Sequence, residues 1–190
     1  MKIRSIRHNA KIIIGDYQFA DRVKEEVLSR LKDCNPISQD NSNVKASLHT
    51  EWDWEPDNIT FRNLKGFIRE EAERFFNPGV RSGGKRSWLT ISAFWANVYK
   101  KGDYAQSHCH KPHSFSFAYF VKAKWYDSPL IFTDSGNKIR PKEGRYVIFP
   151  AYLKHHVPKH RYRDTRVTLS GNAKISEDIP IIGNDMVKYY

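Results

Sequence analysis

The sequence predicts an α+β protein, mainly β, in which two helices precede an antiparallel β-roll. Three observations predict it. Apolar residues recur every three or four positions in two stretches before residue 77. From Trp88 onward the period falls to two. Turn-forming clusters then break the chain at short intervals, as they do in sandwiches and barrels.

The first helix covers Phe19 to Leu31. Phe19, Val23, Val27 and Leu31 repeat every four residues, and Asp16 stands near the start. Residues 35–50 are polar and turn-rich and read as a loop. A second helix fits Ile59 to Phe76, with Leu64, Phe67, Ile68, Ala72, Phe75 and Phe76 as its stripe. Asn77-Pro78-Gly79 stops it, and residues 80–86 read as a loop. Strands follow over Trp88–Tyr99, Ser114–Val121, Leu130–Phe132, Arg145–Phe149, His155–Val157 and Thr165–Asn172. In the second of these, Phe115, Phe117, Tyr119 and Val121 share one face. Lys101-Gly-Asp103, Asp127-Ser-Pro129, Ser135-Gly-Asn137 and Lys142-Glu-Gly144 supply the turns.

With 190 residues, and about 150 residues per domain, one domain over 1–190 is expected. The 14% aromatic content excludes a disordered chain. Two cysteines, Cys34 and Cys109, exclude a disulfide scaffold and a cysteine-based zinc module. No apolar run has the length of a membrane span, and Ile12-Ile13-Ile14 is too short for a signal sequence. A soluble, cytoplasmic protein of a reducing compartment is therefore expected. The net charge of +11 is concentrated after residue 90, which favours an anionic or acidic partner, protein or nucleic acid.

The chemistry concentrates in histidine. Six of the eight histidines lie between 108 and 160. On a strand, His108 and His110 point to one face and can reach one metal, while Cys109 points away. A third ligand is expected from His155 or its neighbour His156, which a strand sends to the opposite face. In Arg166-Val-Thr-Leu-Ser170, alternation puts Arg166, Thr168 and Ser170 on one face. A buried Arg needs a partner. That partner is either an acidic side chain on a neighbouring strand or a ligand carboxylate gripped by the guanidinium fork. An imidazole site accepts iron, zinc, manganese, nickel or copper.

These pieces stand as Trp95-Ala-Asn97, Gly102, His108-Cys-His110, Ser116, Tyr119, Phe149-Pro-Ala-Tyr-Leu-Lys-His155-His-Val157 and Arg166-Val-Thr168, in order over residues 92–172. The series resembles the iron(II)- and 2-oxoglutarate-dependent oxygenases, in particular a small prolyl-hydroxylase-like group with a His-x-His motif. The resemblance implies a double-stranded β-helix (jelly-roll, cupin-like) over 87–175, with residues 1–86 as a helical support. It implies Fe(II) on His108 and His155, with His110 standing where most relatives have Asp or Glu. It also implies 2-oxoglutarate as cosubstrate, its far carboxylate on Arg166 with Thr168 assisting, and Asn97, Tyr99 and Tyr119 as further cosubstrate contacts. The implied reaction is hydroxylation of a substrate, a prolyl residue of a protein or peptide first, with release of succinate and CO2. Asp103 or Asp134 would supply a carboxylate if the fold brought either near. Between Lys138 and Arg166 nine basic residues face two acidic ones, and Lys159, Arg161 and Arg163 are expected to contact an acidic substrate beside the site. A cupin that does not use 2-oxoglutarate, and a basic nucleic-acid-binding module without catalysis, are the competing classes.

Overall fold

The computed structural model describes residues 10–37, 42–54, 58–76 and 87–177. In chain order these form β1 (Ile13–Asp16), α1 (Ala20–Arg30), β2 (Val44–Lys45), β3 (Leu48–His49), α2 (Ile59–Phe76), β4 (Ser87–Tyr99), β5 (Tyr104–His108), β6 (Phe115–Lys122), β7 (Leu130–Phe132), β8 (Lys138–Ile139), β9 (Arg145–Pro150), β10 (His155–Val157) and β11 (Arg166–Glu177). One sheet has the order β1-β9-β6-β11-β4-β3, the other β2-β5-β10-β7-β8. The strand pairings are antiparallel throughout. Two facing sheets of this kind make the jelly-roll of a double-stranded β-helix.

The helices cover the outer face of the six-stranded sheet. Val23 and Val27 of α1 and Leu64, Ile68 and Ala72 of α2 pack with Phe94, Phe117 and Tyr119 of the sheet. The second apolar layer lies between the sheets, around Ala105, Phe120, Leu130, Phe132, Phe149 and Val157. β6 is therefore buried on both faces, as a central strand of a three-layer structure must be. Asn58 caps α2 through Oδ1, which accepts the Thr60 N–H at 2.6 Å.

The structure differs from the sequence expectation in several places, among them the added strands β5 and β8. Asp16 does not cap α1; its carboxylate pairs with Lys142 and Arg145 across the sheet edge. The expected loop at 35–50 contains β2 and β3, two-residue strands recruited by the edges of β5 and β4. Ile13–Asp16 is a strand on β9, although its apolar run is too short to show a period. The stop at 77–79 and the loop at 80–86 lie outside the described residues.

β4 and β11 pair along their whole length, with a bulge at Asn172/Ala173. Just before the bulge the strands touch closely at Gly171. A Cβ there would lie 2.5 Å from the Phe117 ring and 2.6 Å from the Ala93 carbonyl oxygen. Gly171→Ala is expected to cost about 1–3 kcal/mol, the usual range for overpacking. Thermal denaturation would read this as a Tm lower by several degrees.

Candidate metal centre

The histidines meet where the two sheets open. His108 ends β5 and His155 begins β10, and the two are direct cross-strand partners. His110 lies two residues beyond the end of β5. Its N–H donates to the Ala151 carbonyl at 2.8 Å, which holds the loop against the strand leading to His155. The His108–His155, His108–His110 and His110–His155 ring centroids are 4.5, 4.9 and 5.1 Å apart. One ligand nitrogen from each ring lies within 4.8 Å of the others, and no further Cys, Asp or Glu joins them among the described residues.

Backbone carbonyls orient two of the rings. His108 Nδ1 donates to Gln106 O at 2.7 Å and His155 Nδ1 to Leu153 O at 2.9 Å. Each bond fixes the tautomer that leaves Nε2 with a free lone pair, the arrangement found around metal-bound imidazoles. Burial, then the neighbouring imidazoles, pushes His110 down to about 3. Burial chiefly pushes His155 down to about 4, and it lowers His108 as well. All three are neutral near pH 7, the form that binds metal. His156 turns away, with Nδ1 3.0 Å from Thr133 Oγ1. Asp103 is not at the site: Oδ2 accepts from Ser47 N, Ser47 Oγ and Lys100 N at 2.6–2.7 Å. Asp134 is exposed in the turn after β7 and is not in the cluster.

From the histidines a cleft runs inward between the sheets to Arg166. β11 and β4 line it residue against residue: Arg166 opposite Tyr99, Thr168 opposite Asn97, Ser170 opposite Trp95. Arg166 is only 2% exposed and lies between the rings of Tyr99 and Phe120, 4.8 and 5.2 Å from their centroids. Its Nε and Nη1 have no hydrogen-bond partner among the described residues. Trp95 Nε1 and Asn97 Oδ1, both buried, lack partners too. Burial lowers the Arg166 pKa from its ordinary value, and neighbouring Tyr99 and Asp127 act the other way. An acidic partner on a neighbouring strand is thus not what holds this guanidinium. Unpaired buried donors are costly. Donors at the inner end of a cleft, with a histidine cluster at its outer end, suit a ligand that carries a metal-chelating group and a distant carboxylate.

Two expectations are corrected by the geometry. Tyr119 does not line the cleft. Its ring lies in the helix-covered layer, 6.3 Å from that of Tyr17, because odd-numbered residues of β6 face the helices. Nor are Lys159, Arg161 and Arg163 beside the histidines. Val157 pairs with Ala105, so β10 runs from the histidines toward the other end of the roll. The loop after it is pinned there, with His160 N–H on Asp103 O and Gly102 N–H on His160 O, each 2.7 Å. All three cations are exposed, with Lys159 Nζ 5.8 Å from the Tyr104 ring centroid. Conversely, Trp95 and Ser170, named in the sequence for their motif and their face but given no role there, line the cleft too. Parity accounts for both, since each lies two residues from Asn97 or Thr168 on the same strand.

No family model matches the chain, and no curated protein matches it. Solved structures do. A viral collagen prolyl hydroxylase from Paramecium bursaria Chlorella virus-1, in complex with 2-oxoglutarate, has a TM-score of 0.64 at 12% identity, over 88% of this chain and 96% of that one. A Pseudomonas putida prolyl-4-hydroxylase has a TM-score of 0.63 at 14% identity, over 87% and 93%. HygX from Streptomyces hygroscopicus, with nickel and 2-oxoglutarate bound, has a TM-score of 0.56 at 10% identity, over 87% and 83%. At these identities the likeness establishes architecture: the chain is a double-stranded β-helix of the kind found in prolyl hydroxylases and other 2-oxoglutarate- and Fe(II)-dependent oxygenases.

Proposed function

We propose that this chain is an Fe(II)- and 2-oxoglutarate-dependent dioxygenase that hydroxylates its substrate and releases succinate and CO2. The observation that carries the reading is the buried Arg166 guanidinium, with Nε and Nη1 unsatisfied among the described residues, in the same cleft as the three-histidine cluster. His108, His110 and His155 would hold the metal, which when bound supplies dioxygen activation coupled to decarboxylation of the cosubstrate. A cupin that binds no dicarboxylate would leave Arg166 without a purpose.

The chain's own groups divide the remaining work. Arg166 binds the distal carboxylate and Thr168, next but one on the same face, adds its hydroxyl. Asn97 and Trp95 supply an acceptor and a donor along the wall. Leu130, Phe149 and Val157 keep water out, which strengthens every charge interaction inside. Three neutral imidazoles leave the site one unit more positive than two imidazoles and a carboxylate would, which favours an anionic cosubstrate. The cleft is narrow, about 40 Å³.

For the substrate, a prolyl residue in a protein or peptide is proposed on the likeness to two prolyl hydroxylases. Lys159, Arg161 and Arg163 would touch only an acidic partner long enough to reach around the roll. The test is an anaerobic visible spectrum of the apo-protein given Fe(II) and then 2-oxoglutarate. A charge-transfer band that needs both components is expected. Bound metal with no band would overturn the cosubstrate assignment.

A further inference from the structure

A second cavity, of about 310 Å³, lies behind the cleft, on the reverse face of the strands that form its inner wall. Val98 and Val167 form its floor. They are cross-strand partners and alternate with Tyr99 and Arg166, which face the other way. Leu28 of α1, Leu31 at its C-terminal end and Leu48 of β3 complete an apolar lining. The volume falls at the lower end of the range of small-molecule sites.

The polar part of this cavity has one sign. Lys32 follows α1, Lys100 follows β4 and Lys122 ends β6, so three elements each bring a lysine to the lining. No acidic residue lines the cavity among the described residues. None of the three ammonium groups forms an ion pair with a described carboxylate. Two acidic side chains close to Lys122 and Lys100 are engaged elsewhere. Asp164, which bears electrostatically on Lys122, accepts from Lys124 and Tyr126 at 2.8 Å each. Asp103 is held by the Ser47 and Lys100 backbone and the Ser47 hydroxyl. Three lysines with no acidic residue among the described lining favour an anion, and the hollow rewards a hydrocarbon body.

We propose that this cavity is a binding site for a small amphipathic anion, an aliphatic monocarboxylate, separate from the metal cleft. Its carboxylate sits among Lys32, Lys100 and Lys122 and its chain lies on Val98, Val167 and Leu48. The site does not depend on the oxygenase reading.

Octanoate is the probe, measured by isothermal titration on the full chain. Saturable binding is expected. It should fall at least tenfold in the combined Lys32→Gln, Lys100→Gln, Lys122→Gln variant, and also in Leu48→Trp, which fills the hollow without touching a charge. Inorganic phosphate should bind at least tenfold more weakly than octanoate, and hexylamine not at all. Arg166→Met should leave octanoate binding intact. Loss of binding in Arg166→Met would place octanoate in the metal cleft and overturn the proposal. So would absence of saturable binding, undiminished binding in the lysine variant, or phosphate binding as well as octanoate does.

Discussion

An Arg166→Met variant is expected to lose about 100-fold or more in 2-oxoglutarate affinity, to bind Ni(II) or Co(II) unchanged, and to melt at a higher temperature than the parent when ligand-free. The loss follows from the strength of the contact. Removing one side of a buried, hydrogen-bonded charge pair typically costs about 2–5 kcal/mol, and every 1.4 kcal/mol is tenfold. The gain follows from the orphaned atoms. Nε and Nη1 are buried without partners between Tyr99 and Phe120, so without ligand the desolvation of the guanidinium is poorly compensated. A well-packed apolar replacement for such a group is often neutral or stabilising. Titration with 2-oxoglutarate and with metal, together with melting curves with and without ligand, checks all three arms. An unchanged 2-oxoglutarate affinity would remove the carboxylate role. A lower melting temperature in the ligand-free state would show that Arg166 holds the fold together.

The second large effect separates adjacent histidines. His155→Ala is expected to lower Ni(II) affinity by more than the roughly 10–100-fold that loss of an outer partner costs at metal sites. His156→Ala is expected to leave it within a few-fold. His155 faces the cluster with Nδ1 already committed to Leu153 O, while His156 faces Thr133 on the outside. Equal losses, or a greater loss at residue 156, would overturn the ligand assignment. The measurement is competition against a chromophoric chelator.

Much of the site was legible because it obeys alternation. His108 and His110 were paired by their spacing, yet the structure reaches that result by another route. β5 ends at His108, and the Ala151 carbonyl rather than strand geometry brings His110 back. Arg166 was legible because a cation on an inward face requires an anion. Tyr119 was not, since parity says which residues share a face but not which face meets the cleft. In a strand buried on both sides, hydropathy does not break that tie. The basic loop misled for a different reason. It is close to His155 along the chain, but the direction of β10 carries it away. β2 and β3 left no pattern because two residues cannot show a period.

The pairing of His155 with His108 also bears on the order of assembly. The two histidines lie 47 residues apart in the chain and become neighbours only when β10 docks between β5 and β7. Closing so long a segment is a late, entropically demanding event in folding. The proposed metal would therefore find no complete site until the roll has closed, and would not act as the nucleus around which the chain collapses. Refolding should proceed at the same rate in chelator as in metal, leaving the ion to be acquired by a finished protein.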